Sequence, residues 1–212
     1  MTLLDEFLSA FLTAYRDMRQ AFGDEDWQRV WCAPYRSDRN WNHVMLYEDP
    51  AHPNPKGTVL RRTAEGMKRH FWLGEPLRLD GAIVPPAAMA RGRTAPPIPV
   101  PILVAIEHEN DVTTFEEEII KLFYVRCPLK VGITYALLEK DRGAPRTAVR
   151  QGGIADTAVR VASALDEHTR EDPATTYLYL LGSEDTQYRL TWHALTFTAG
   201  SGPTSARWRT IE

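Results

Sequence analysis

The stretch ILVAIEHENDVTTFEEEIIKLFYVRCPLKVGITYALL, residues 102–138, decides the fold. Its first part, ILVAIEHE at 102–109, is apolar at its start and acidic at its end, which predicts a strand that leaves a core through its acids. Thr113 or Thr114 can then cap a helix whose buried stripe is Phe115, Ile119, Leu122 and Phe123. Glu116, Glu117 and Glu118 fall in its first turn, where carboxylates meet the positive end of the helix dipole, and Lys121 lies on its polar side. Pro128 stops that helix, and LKVGITYALL at 129–138 reads as a second, largely buried strand. Strand, helix and strand in this order predict a right-handed parallel crossover over residues 102–136.

Upstream, Leu3, Leu4, Phe7, Leu8, Phe11, Leu12 and Tyr15 recur at helical spacing, which predicts a helix over 3–22 ended near Gly23. Residues 27–55 mix Trp, Pro, Asn and Asp and read as an irregular elaboration, with strand character only in HVMLYE at 43–48. A second helix is expected within 57–70, then two short strands within 71–84 separated by the turn residues Gly74-Glu75-Pro76. The proline-rich PPAAMARGRTAPPIPVP at 85–101 suits an exposed connection. Downstream come a helix at 152–170 and strands at 175–182, 188–197 and 206–211, with no internal repeat. The expectation is one α/β domain over 1–212, its core at about 71–136, built as a mixed central sheet flanked by helices with extra C-terminal strands.

Composition narrows the function classes. A net charge of −3 argues against coating nucleic acid by bulk charge, while leaving room for a local basic groove. Arg61-Arg62, Lys68-Arg69-His70, Arg91 with Arg93, and Arg142, Arg146 and Arg150 are the candidates, each more simply explained as solvated surface. Cys32 and Cys127 stand alone, which fits buried, reduced thiols better than a disulfide or a zinc framework. The start, MTLLDEFLSAFLTAY, carries Asp5 and Glu6 where a signal peptide is basic, and no apolar run approaches the roughly 18 residues of a membrane span. A cytoplasmic protein with no membrane partner is expected.

Alternate strand residues share a face, so Glu107 and Glu109 are expected to project together while His108 faces the other way. Two adjacent acids repel unless a cation, a basic side chain or a proton relieves them. A further acid, Asp80, interrupts the apolar run LRLDGAIV in the same way. If the two strands pair, Asp80, Glu107 and Glu109 form a set of hard oxygen donors suited to Mg²⁺ or Mn²⁺.

LRLDGAIV, VAIEHEN, the acidic helix containing EEEIIKL, and PLKVGITY together resemble the core of the PD-(D/E)XK, or restriction-endonuclease-like, nuclease superfamily. The resemblance covers about residues 71–136 and implies an αβββαβ core in which Asp80 is the motif Asp and Glu107 the motif acid. It also implies a hydrolase that cuts phosphodiester bonds with metal-activated water. Leu79 stands where the motif has Pro, and Glu109 where it has Lys. In similar members a Glu there serves as general base or extra ligand, or the Lys comes from the following helix, a role open to Lys121. Glu6 and Glu65 both have the type, but not the spacing, of the acid supplied by the first core helix.

The expected partner on this resemblance is nucleic acid, DNA ahead of RNA, with a homodimer compatible because one site cuts one strand. The alternative is a catalytically silent member of the same fold, kept as a binding or assembly module, its acids paired with Lys or Arg of a neighbouring strand and Asp80-Gly81 serving as a turn or bulge. A hydrolase for another substrate class is the third. Phosphate-loop, dinucleotide, serine-hydrolase and HExxH zinc motifs are absent. The tryptophans Trp27, Trp31 and Trp41 suit packing more readily than stacking on bases.

Overall fold

Phe7, Leu8, Phe11, Tyr15 and Met18 line one face of the first helix and are buried, as their three- and four-residue spacing requires. A computed structural model of the chain describes residues 1–26, 44–46, 57–73, 79–88, 101–109, 114–136, 147–165, 172–185 and 189–212. The chain is α/β, with a seven-stranded mixed sheet flanked by helices. Its residues divide into two compact units, Met1–Pro76 with Asp80–Leu103, and Leu77–Leu79 with Val104–Glu212. No helix among the described residues is long and apolar enough to cross a membrane.

In the first unit, helix α1 (Leu3–Asp26) starts with a reciprocal cap. The Asp5 N–H donates to Thr2 Oγ1 at 3.2 Å and the Thr2 N–H to Asp5 Oδ2 at 3.0 Å. The helix runs through Gly23 instead of stopping there. A glycine weakens a helix by only about 1 kcal/mol, and no proline follows to break it. Helix α2 (Val59–Gly66) is capped by Thr58, whose Oγ1 accepts the Arg61 N–H at 3.4 Å, and buries Val59, Leu60, Thr63 and Ala64. It packs closely on α1, since a Cβ at Gly66 would lie 3.4 Å from that of Ala10. Arg62 pairs across the two helices with Asp17 at 3.2 Å. Strands β1 (His70–Leu73) and β2 (Gly81–Val84) are antiparallel, with Phe71 opposite Ile83 and Leu73 opposite Gly81. Val44 and Met45 are helical, not extended as their propensity suggested, and with Leu46 they are buried. Strand propensity is largely a measure of fit to a packed surface, and burial here is met in another conformation.

The second unit opens with β3 (Val104–His108), helix α3 (Phe115–Phe123) and β4 (Leu129–Ala136). β3 and β4 are parallel, with Glu107 opposite Gly132, as the strand-helix-strand pattern predicts. Phe115, Ile119, Leu122 and Phe123 are all buried. Thr114 occupies the cap position of α3 but makes no side-chain cap bond; its φ of −100° and ψ of −7° are already helical rather than extended. Helix α4 (Thr147–Leu165) then leads to β5 (Thr176–Glu184), which lies parallel to β4. β6 (Leu190–Thr198) and the short β7 (Arg209–Thr210) follow antiparallel.

All eight residues of β4 are buried, Lys130 among them. Its ammonium donates to Tyr177 Oη at 3.1 Å and stands 5.0 Å from the centre of the Tyr177 ring. Cys127 is a buried free thiol whose Sγ–H donates to the Leu129 carbonyl at 3.2 Å. Cys32, Trp27, Trp31, Trp41, Arg91, Arg93, Arg142 and Arg146, with most of the proline-rich connection, lie outside the described residues.

Candidate functional site

The apolar run Val104-Ala105-Ile106 carries β3 through the core, and Glu107 is delivered at its end with its side chain fully enclosed, 0% exposed. Taking a carboxylate out of water costs several kcal/mol unless a partner compensates. Lys121, in the last turn of α3, brings its ammonium to 3.7 Å from Glu107 Oε2. The same ammonium pairs with Glu118, one turn earlier on α3. Glu107, Glu118 and Lys121 therefore form one charged group at the junction of β3 and α3. Its exposure is graded, from 0% at Glu107 through 18% at Glu118 to 34% at Lys121.

Gly132 sets the spacing of this junction. It lies opposite Glu107 in the β3–β4 register. A Cβ at this position would come within 2.8 Å of the Tyr179 ring and 3.1 Å of the Phe115 ring. Phe115 begins α3, so the missing side chain lets the helix seat on the sheet beside the acid.

Of the residues expected to act together, Glu107 and Lys121 meet. Glu109 stands one residue beyond the end of β3; its N–H continues the ladder by donating to the Ile133 carbonyl at 2.8 Å. Asp80, in the first unit, is half-buried and immediately precedes β2. Glu118 joins this charged group, and its position is legible in the sequence. It falls three residues after Phe115 and four before Leu122, beside the buried stripe, whereas the exposed Glu117 points away. Lys121 accordingly pairs with Glu118.

His108 lies on the face opposite Glu107 and is buried, with Nε2 2.7 Å from Tyr135 Oη and the two rings edge to face. Burial lowers its pKa from 6.5 to about 3, so the imidazole is neutral at neutral pH. It is a packed core histidine.

The group at the β3–α3 junction offers hard oxygen donors next to a cation, a set that fits either a divalent metal with an electrostatic helper or an internal ion-pair network. No family model, curated protein or solved structure matches the chain.

Proposed function

We propose that the protein is a divalent-metal-dependent nuclease with a restriction-endonuclease-like core, in which Glu107 and Glu118 supply oxygen donors for Mg²⁺ or Mn²⁺ and Asp80 keeps the role of motif Asp that the resemblance gives it. The observation that carries this reading is the fully buried Glu107 carboxylate, which shares one ammonium with Glu118 at the end of a parallel strand. The order α2-β1-β2-β3-α3-β4 also agrees with the αβββαβ core that the resemblance implies. A divalent cation held by these acids supplies charge to polarise a phosphate and lowers the pKa of water. Lys121, the most exposed member of the group, would supply positive charge for the phosphate. Glu109 keeps the role that the resemblance gives it, general base or further oxygen donor.

The test is cleavage of labelled single-stranded DNA, double-stranded DNA and RNA with Mg²⁺ or Mn²⁺, with wild type and Glu107→Gln purified in parallel. Metal-dependent cutting that a folded Glu107→Gln lacks supports the reading; wild type that cuts nothing overturns it.

The contact of Lys121 with both acids also favours a second reading, a silent binding module whose acids are satisfied by an ion-pair network. A cation that binds the folded state raises the melting temperature by mass action. On the second reading Mn²⁺ leaves that temperature unchanged.

A further inference from the structure

Helix α2 ends in a tight, fully bonded turn. The Lys68 N–H donates to the Glu65 carbonyl at 2.9 Å and the Arg69 N–H to the Ala64 carbonyl at 2.8 Å, the double bond pattern that closes a helix through a left-handed residue. That residue is normally glycine, because a Cβ is strained there. Here it is Lys68, with φ +56°, the non-glycine residue of positive φ among those described. A lysine kept at a position that glycine fills more cheaply needs a reason beyond the turn itself.

Lys68 lines a cleft of about 870 Å³ in the first unit together with Arg61, Arg69, His70 and Phe71. Three basic side chains, Arg61, Lys68 and Arg69, face one acid on that wall, Glu65, which is 3.6 Å from Arg61. Arg69 is held in place by donating from Nη1 to the Met67 and Lys68 carbonyls at 2.8 and 3.3 Å. Phe71 adds a half-buried ring that rests against Gly81, where a Cβ would come within 2.7 Å of it. Cations interleaved with an aromatic wall suit a strand of nucleotides, with phosphates on the charges and a base against the ring. Cations at a helix C-terminus also offset the helix dipole, by about 0.3–1 kcal/mol, which at most matches the strain of about 1–2 kcal/mol at a left-handed lysine.

We infer that this cleft binds the phosphates of a single nucleic-acid strand, with Lys68 as a principal contact. The inference rests on the nucleic-acid reading above and locates where the strand is held. It is tested by fluorescence anisotropy of a labelled single-stranded oligonucleotide with the full chain in EDTA, so that binding is read without cleavage. Lys68→Gly, which keeps the turn, weakens binding by about threefold to tenfold and lowers the slope of log affinity against log salt by about one. Its melting temperature stays at or above that of the wild type. Lys68→Arg keeps the affinity, and adding Arg61→Gln to Lys68→Gly weakens binding further.

Wild-type affinity and salt slope in the Lys68→Gly/Arg61→Gln variant overturn the proposal, as does a wild type that binds no oligonucleotide. Displacement by inorganic phosphate or a mononucleotide at matched phosphate concentration also overturns it, because the ligand is then a free phosphate and not a strand. If cleavage occurs but the double variant binds normally, the cleft assignment alone fails. If the cleft variants lose binding but no substrate is cut, the nuclease reading alone fails.

Discussion

Lys121 Nζ lies 3.7 Å from Oε2 of the fully buried Glu107 and also pairs with Glu118, so one ammonium links the end of β3 to α3. The exposed side of Lys121 keeps the net value of each pair modest. The cost of breaking the link falls on the enclosed carboxylate.

Lys121→Met is therefore expected to destabilise the fold by about 1–3 kcal/mol, measured by urea unfolding. Glu107→Gln in the same chain should recover part of that loss, because the buried charge has gone. Strictly additive losses in the double-mutant cycle would show that the two side chains do not interact.

Mn²⁺ at about one hundred times its dissociation constant should stabilise the wild type by about 2.7 kcal/mol, read as a rise of several degrees in melting temperature. Glu107→Gln and Glu118→Gln should each lose most of the shift. A shift of equal size in both variants would remove these acids from the metal site.

Stability should fall on mild acidification because of His108. Burial holds its folded pKa at about 3, against 6.5 for a free imidazole. Between those values the unfolded chain binds a proton that the folded one refuses, so stability is fully present above about pH 6.5 and is lost as pH falls toward 3. From pH 6.5 to 5 the loss is about 2 kcal/mol. His193, whose pKa burial also lowers, adds a contribution of the same sign. Urea midpoints across this range should show the slope, and His108→Gln should flatten it while costing some stability at pH 7 through the lost contact with Tyr135. An unchanged slope in His108→Gln would assign it to other groups.

Gly132→Ala should destabilise by about 1–3 kcal/mol through overpacking, because its Cβ meets rings of Tyr179 and Phe115 within 3.1 Å. It should also reduce any Mn²⁺-induced stabilisation, since Phe115 seats the helix that carries Glu118 and Lys121. A variant as stable as the wild type would mean that the rings move aside freely.

The elements themselves were legible in the sequence. The stripe Phe115, Ile119, Leu122 and Phe123 and the apolar run ahead of Glu107 each depend on near neighbours, and they specify a helix between two parallel strands; the helix ends at Phe123, before Pro128 is reached. That His108 faces away from Glu107 follows from the same alternation along β3, whereas its burial against Tyr135 comes from the packing.

Other features depended on residues distant in the chain. Strand propensity at Val44 and Met45 and the glycine at 23 are weak local preferences, overridden in a helical segment and inside α1. Nothing local to Lys130 indicates that its ammonium stands 5.5 Å from the Phe123 ring centre and 5.0 Å from that of Tyr177.

Sequence alone thus determined the α/β order and singled out Glu107 and Lys121, because periodicity and acid placement are properties of short segments. Only the tertiary structure decided that Glu118 joins them and that Glu109 lies past the strand end. The physical reason is that side-chain convergence is set by how a helix seats on a strand, which here turns on the space left at Gly132 by residues far apart in the chain.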